Sequence, residues 1–302
     1  MNKTLIGHLA CLTTYIIFAF NIIVCRDIAT TDAFPPIVIT SIRCIVVAML
    51  FWLLSLVLPK EKVARGDLLP ILGASLLGLV IPQWTFLTAI GYTAPVDLSV
   101  INSVTPIMTM LVAAVVLKEP ITTKKAGGVA LSFVGVVFLI LQSIHAEARV
   151  EHTSPIGILF VLLNSASFAL YLGIFRPLIA RYRAVTFMKW MFLFAALCSL
   201  PLALPQVHGV QWTLVTPRML SELAYLIVMA TFVAYFLIPI GQKNIRPTLV
   251  SMYSYTQPIV ATIISISIGM DRITWQKVLA ACMVVGGVVL VNSSRAAAPA
   301  AK

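Results

Sequence analysis

The stretch LSVINSVTPIMTMLVAAVVLKEPITTKKAGGVALSFVGVVFLI (residues 98–140) returns 152 residues later, without a gap, as VSMYSYTQPIVATIISISIGMDRITWQKVLAACMVVGGVVLVN (residues 250–292). Nine positions are identical: Ser99/Ser251, Pro106/Pro258, Ile107/Ile259, Ile121/Ile273, Thr122/Thr274, Lys125/Lys277, Gly135/Gly287, Val136/Val288 and Val137/Val289. Glu119 meets Asp271, and Pro95 falls on Pro247. The echo reaches upstream. At an offset of 150, Gly7, Phe18, Ala19 and Arg26 match Gly157, Phe168, Ala169 and Arg176; at 146, Pro59 meets Pro205 and Arg43 meets Lys189. The chain therefore reads as two copies of one unit.

Each unit is built from long apolar runs. Of the 302 residues, 60% are hydrophobic and 10% charged, against roughly 25% charged in a soluble domain. The mean hydropathy is +1.03. Polar groups must cover the exterior of a soluble globule, so a soluble fold is excluded, as are disorder, a collagen and a disulfide scaffold. A helix needs about 20 apolar residues to cross a bilayer. Ten runs qualify: 5–25, 36–58, 68–91, 96–117, 124–142, 155–176, 184–205, 219–241, 248–269 and 275–292. A β-barrel would show alternating ten-residue runs instead. The break at 117–124 is the least marked, but its four charges argue against one long helix.

The expected fold is thus an all-α integral membrane protein of ten spans. Residues 1–145 form the first five-helix unit, 153–295 the second, and 296–302 a flexible tail. Five is odd, so the two units enter the membrane from opposite faces. Inverted repeats of this kind are typical of secondary transporters, because each unit can adopt the other's conformation.

Charge supports the same topology. Lys+Arg is 21 and Asp+Glu 10, a formal net charge of +11. With both termini in the cytoplasm, 14 cations fall on the inner segments and 5 outside, while Arg43 and Lys189 lie within spans. This bias is the positive-inside pattern, and it removes the need for a nucleic-acid partner. The five cysteines form no CxxC and read as small core residues. The four histidines lack zinc spacing. Residues 5–25 are long enough to span, and no small-residue cleavage site follows them. No P-loop, HExxH, GxSxG or triad pattern occurs, so neither a catalytic residue, a metal nor a cofactor is expected.

Each half resembles the EamA unit of the drug/metabolite transporter superfamily. The residues that carry the resemblance are the Asn102 to Pro106 stretch, Lys118-Glu119-Pro120-Ile121-Thr122, and the glycine-bearing run from Gly127 to Gly135. The second half repeats them as Ser254 to Pro258, Met270-Asp271-Arg272-Ile273-Thr274 and Gly286-Gly287, with Asp-Arg where the first copy has Glu-Pro. The resemblance implies a central cavity between the halves, lined by helices 1, 3, 4, 6, 8 and 9. Helices 5 and 10 would then be peripheral and able to support a homodimer. It also implies a bacterial inner-membrane location with both termini cytoplasmic, and a layout similar to the amino-acid exporters.

Candidate binding residues are polar or aromatic groups well inside a span. Arg43 lies eight residues into the second span and Lys189 six into the seventh. A charge there is costly. It can hold a substrate carboxylate or a gate, or it can snorkel to an edge or bond a carbonyl; both readings stand. The Arg43 fork suits a carboxylate. Asn102, Asn164 and Gln257 carry amides that need several partners. Tyr15, Trp84, Tyr171, Tyr235 and Tyr253 complete the set, the last four too deep in their spans to be interfacial anchors. Pro106 and Pro258 interrupt matching helices and are the candidate hinges.

None of the ten acids sits in mid-span, so no buried carboxylate relay is visible. A carrier driven by its substrate gradient fits this. Proton coupling through an edge acid such as Glu222 is the variant. The function expected is an export-biased secondary transporter of small metabolites such as amino acids or aromatic amphipaths, working by alternating access. The alternatives are a lipid or polyprenyl-carrier flippase, a drug efflux carrier and a channel.

Overall fold

The computed structural model describes residues 2–29, 31–93, 98, 101–144, 154–267 and 274–294. Among them all regular structure is helical, in short connecting turns of helix and ten principal segments. These are α1 (Lys3–Ala29), α2 (Pro36–Leu56), α3 (Arg65–Ile90), α4 (Thr105–Val116), α5 (Thr123–Ile144), α6 (Pro155–Ile174), α7 (Ala184–Gly209), α8 (Pro217–Asn244), α9 and α10 (Trp275–Asn292). α9 is made of three consecutive pieces, Pro247–Met252, Tyr253–Tyr255 and Thr256–Ser267. Among the described residues, α1 to α3, α6 to α8 and α10 are long and apolar enough to cross a membrane. The six-residue helix Arg176–Arg181 links α6 to α7.

Helix starts follow from local chemistry. Pro36, Pro155, Pro217 and Pro247 each open a helix, where the missing N–H costs nothing. The hydroxyls of Ser154 and Thr216 accept from the N–H groups of Gly157 (3.1 Å) and Met219 (3.2 Å). Thr122 and Thr274 accept from Lys125 (3.2 Å) and Lys277 (3.4 Å). These four are repeat mates, so the Thr122/Thr274 identity is a capping identity. The 117–124 break is a chain reversal with Lys118 in the left-handed region at φ 53°. It separates α4 from α5, as the charges there required.

The halves pack about a two-fold axis. A residue near such an axis touches its own mate, and two hydrogen bonds join residues 152 apart. The Tyr255 hydroxyl donates to the Ser103 carbonyl at 2.9 Å, and the Ser132 hydroxyl to the Val284 carbonyl at 3.0 Å. Both lie between antiparallel helices, α4 with α9 and α5 with α10. Inter-helix packing obeys the same exchange. α5 packs on α10, α2 on α7, α1 on α8 as α6 on α3, and α4 on α6 as α9 on α1. The axis runs across the helices, so the second half is the first turned over. Close approaches repeat as well. A Cβ on Gly7 would meet Asn244 Cβ at 2.8 Å, and one on Gly157 would meet the Tyr92 carbonyl carbon at 2.8 Å. The Gly7/Gly157 match therefore marks equivalent helix crossings.

Two irregularities are repeated too. α3 widens to a π-turn over Leu76–Val80, and α8 does so over Val228–Val233. Each inserts one residue and shifts the following helix face by about 100°. α4 is preceded by a turn at Ser103 and Val104, and α9 tightens to a 3-10 turn at Tyr253–Tyr255. Pro106 and Pro258 lie just beyond these turns. Proline 106 cannot donate to the Asn102 carbonyl, and the Thr105 hydroxyl does so instead at 2.7 Å. The fourth span, expected over 96–117, is helical at 98, 101 and 102, turns at Ser103 and Val104, and resumes as helix from Thr105; residues 96, 97, 99 and 100 are outside the described set.

Around the bundle, Leu53, Val115, Leu159, Leu202, Trp275 and Val289 are all more than half exposed. An apolar exterior of this kind is covered by hydrocarbon, and the helices satisfy their own backbone groups as that solvent demands.

Candidate functional site

A cavity with an empty volume of about 700 Å³, including space continuous with the outside, lies between the halves. The first half contributes Tyr15, Phe18, Asn21, Ile22, Arg43, Pro82, Gln83, Phe86, Asn102 and Thr105. The second contributes Asn164, Phe168, Tyr235, Ser254 and Gln257. α1, α3, α4, α6, α8 and α9 all supply walls, and α2 adds Arg43.

Eight of the fifteen lining residues are repeat mates. Phe18 and Phe168 are mates, as are Gln83 and Tyr235, Asn102 and Ser254, and Thr105 and Gln257. All eight face the same space. Arg43, like the remaining lining residues, has no mate there. Its sequence mate Lys189 lies away from the cavity, with Nζ 4.8 Å from the ring centroid of Trp52, a cation–π contact.

Hydrogen bonding fixes the amides. Asn164 Nδ2 donates to the Pro82 carbonyl at 2.7 Å, and Asn102 Oδ1 accepts from Ser165 Oγ at 3.2 Å. These bonds tie α6 to α3 and to α4 and leave the other half of each amide for the cavity. Gln83 is buried beside Tyr235, with neither amide atom in a well-formed hydrogen bond. Tyr15 Oη and Ser254 Oγ are also buried without a partner. Unmet polar groups at a cavity wall are the ones a bound solute or water satisfies. The rings of Tyr15, Phe18 and Tyr235 form an edge-to-face chain, with centroids 5.7 and 5.9 Å apart.

Arg43 is 4% exposed. Snorkelling is therefore not its arrangement: the side chain turns inward, and Nε donates to Thr231 Oγ1 at 2.7 Å. None of the lining residues is acidic.

Of the nine residues singled out as binding candidates, Tyr15, Arg43, Asn102, Asn164, Tyr235 and Gln257 line this cavity. Trp84 is 37% exposed on the outer face of α3, edge-on to Phe160. Tyr171 is wholly buried, packed on the π-turn where a Cβ on Gly78 would come within 2.6 Å of its ring. Tyr253 sits by the start of α1, its hydroxyl 2.7 Å from His8 Nδ1. Of the two prolines, Pro258 lines a second, adjoining cavity and Pro106 lines neither. Phe18, Phe86, Ile22, Thr105 and Ser254 were not singled out, nor were Asn21, Gln83, Pro82 and Phe168 assigned a binding role. The Phe18/Phe168 identity was the signal available for that pair.

At the end of the bundle that carries Lys3, a buried ionic cluster joins the halves. Glu119 takes Lys125 Nζ at 2.8 Å and Arg176 Nη1 at 3.6 Å. Arg176 also donates to the carbonyls of Gln242 (3.3 Å) and Ile245 (3.4 Å). At the opposite end Arg218 bridges Glu222 (2.9 Å) and Asp27 (2.5 Å), tying α8 to α1. Asp97 and Asp271 lie outside the described residues. Among the described residues no group of three or more His, Cys, Asp or Glu is placed to hold a metal ion.

The EamA-like transporter family model matches this chain twice, over residues 5–141 and 155–293. An uncharacterized transporter, YcxC of Bacillus subtilis (strain 168), is 27% identical over 205 residues, covering 66% of this chain and 64% of that protein. The chain thus spans just under two thirds of that relative's length. An uncharacterized transporter of Archaeoglobus fulgidus is 20% identical over 260 residues, covering 86% of this chain and 90% of its own. A protein of known crystal structure superposes with a TM-score of 0.71 at 19% identity, covering 95% of both chains. That likeness concerns the fold.

Proposed function

The chain belongs to the EamA-like transporter family, and on that premise we propose that it moves small organic solutes across the bilayer by alternating access around the cavity between its halves. The observation that carries this reading is the paired lining: mates from two inverted halves face one space. Exchange of conformation between the halves would then open that space to one side and afterwards to the other. The aromatic walls and half-satisfied amides suit amphipathic metabolites, amino acids among them. The excess of cations on the segments that include both termini supports a bacterial cytoplasmic membrane with both ends inside. Export is the direction we assign.

Counterflow in proteoliposomes tests the carrier. Vesicles preloaded with unlabelled amino acids and aromatic acids should accumulate labelled solute saturably, and Asn102→Ala should lower the accumulation. Fluxes that do not saturate and show no counterflow would make the protein a channel instead.

One observation favours a second reading, a lipid or polyprenyl-carrier flippase. An apolar cavity walled by Ala19, Ile23, Leu98, Val136 and Pro258 adjoins the first, sharing Ile22, Asn102, Ser254 and Gln257 with it. Ile23 is half-exposed on the outside of the bundle, which supports a lateral route to lipid. Protein-dependent movement of labelled lipid between leaflets, with no counterflow of soluble solutes, would favour the flippase.

A further inference from the structure

We propose that Arg43, oriented by Thr231, is an anion anchor, and that the solute carries a single carboxylate on an aromatic or apolar body. The proposal rests on the reading of the cavity as the transport path.

Depth comes first. Arg43 is seven residues beyond the first residue of α2, which places it about 10 Å along the helix. It lines the cavity, is almost wholly buried, and forms no ion pair with any described residue. A buried charge without a counter-charge is strongly unfavourable. The side chain does not reach the surface, and it has Thr231 for a partner where Lys189 has the ring of Trp52. Arg43 is also the only cation on the wall, and its sequence mate Lys189 lies outside the cavity.

The π-turn of α8 holds the guanidinium. Within that turn the Thr231 hydroxyl donates to the Leu226 carbonyl, five residues earlier, at 2.6 Å. With its proton committed there, Thr231 Oγ1 can only accept from Arg43, and it does so from Nε at 2.7 Å. The two terminal nitrogens make no hydrogen bond to any described residue and are not sealed from the cavity. A fork held at its stem, with both tips free, matches the two oxygens of a carboxylate.

Charge balance sets the class. One cation and no acid line the cavity, so one negative charge is neutralised. A phosphate monoester would retain a second. Phe18, Phe86 and Phe168 offer faces to an aromatic body, and the amides and phenols offer neutral partners for its remaining polar groups.

The test uses a matched set on one body: phenylacetate, phenylacetamide, phenethylamine and phenyl phosphate. Equilibrium binding is measured on the full chain in nanodiscs, and counterflow on the same preparation in proteoliposomes. Phenylacetate should bind saturably, and the amide at least about ten-fold more weakly. Arg43→Gln should weaken phenylacetate about 10- to 100-fold and leave the amide unchanged. Arg43→Lys, which keeps the charge and loses the fork, should fall between. Thr231→Val should weaken the acid and Thr231→Ser restore it, which guards against a general folding defect. Equal binding of acid and amide, no effect of Arg43→Gln, or no binding of phenylacetate at millimolar concentration would each overturn the anchor. Tighter binding of phenyl phosphate would overturn the single-charge assignment. Acid binding without counterflow would uphold the anchor and sink the carrier. Counterflow of the amide and amine that ignores Arg43→Gln would do the reverse.

Discussion

Replacing Gly128 by alanine should force α5 and α10 apart. A Cβ built there lies 2.6 Å from the Gly287 carbonyl oxygen, 2.7 Å from Val291 Cγ2 and 3.0 Å from the Val291 nitrogen. Non-bonded heavy atoms settle near 3.5–4.0 Å, so the shortfall is about 1 Å. Two of the three contacts are backbone atoms in a regular helix and cannot rotate aside. The helices must separate, and a gap of about 0.5–1 Å forfeits a quarter to a half of the dispersion energy across it. Overpacking of this kind costs about 1–3 kcal/mol. Gly127 is the control, because the nearest atom to its Cβ is Leu290 Cδ2 at 4.0 Å. There alanine should stabilise by about 0.5–1 kcal/mol through backbone entropy alone. The two variants, one residue apart, should differ by roughly 1.5–4 kcal/mol. Unfolding from mixed micelles by SDS titration, followed by tryptophan fluorescence, reads the difference. Equal midpoints, or a more stable Gly128→Ala, would refute the seam as described.

Glu119→Gln leaves the Lys125 ammonium, 1% exposed, without its carboxylate, and should cost about 3–5 kcal/mol in the same titration. Glu119→Leu combined with Lys125→Met should recover most of that loss, because it removes the buried ammonium and leaves only the part-exposed Arg176, still held by the Gln242 and Ile245 carbonyls. Tyr255→Phe removes the hydroxyl that donates to the buried Ser103 carbonyl and should cost about 0.5–1.5 kcal/mol; an unchanged midpoint would mean that the axis contact is dispensable. Trp84→Phe, on the outer face of α3, should leave counterflow unaltered where Asn102→Ala lowers it.

The repeat and the spans were legible in the sequence because each follows from composition or self-comparison. Thr122 and Thr274 matched as letters and cap as residues. The facing of side chains was harder to read. Trp84 was singled out by its depth in the span, but the π-turn ahead of it shifts the phase, so Gln83 faces the cavity and Trp84 the outside. The 3-10 turn at Tyr253–Tyr255 likewise parts Tyr253 from Gln257, which a regular helix would have put on one face. Tyr171 met the description of a cavity residue, yet Gly78 receives its ring as packing. Both faces of these helices are apolar, so composition could not choose between them. Thr231 carried no signal either: its meaning depends on a widened turn that no local pattern announced.

The contact between Ser103 and Tyr255 has an evolutionary side. In a pair of identical half-length chains, a position on the two-fold axis must face itself. Two tyrosines there would compete for one space, and two serines would leave it unfilled. Joining the copies in one reading frame releases each axial position from matching its twin, so a large residue can be set against a small one. The same freedom allows an arginine on one side of the cavity with no cationic counterpart on the other. Covalent fusion thus makes room for an asymmetric cargo inside a symmetric frame.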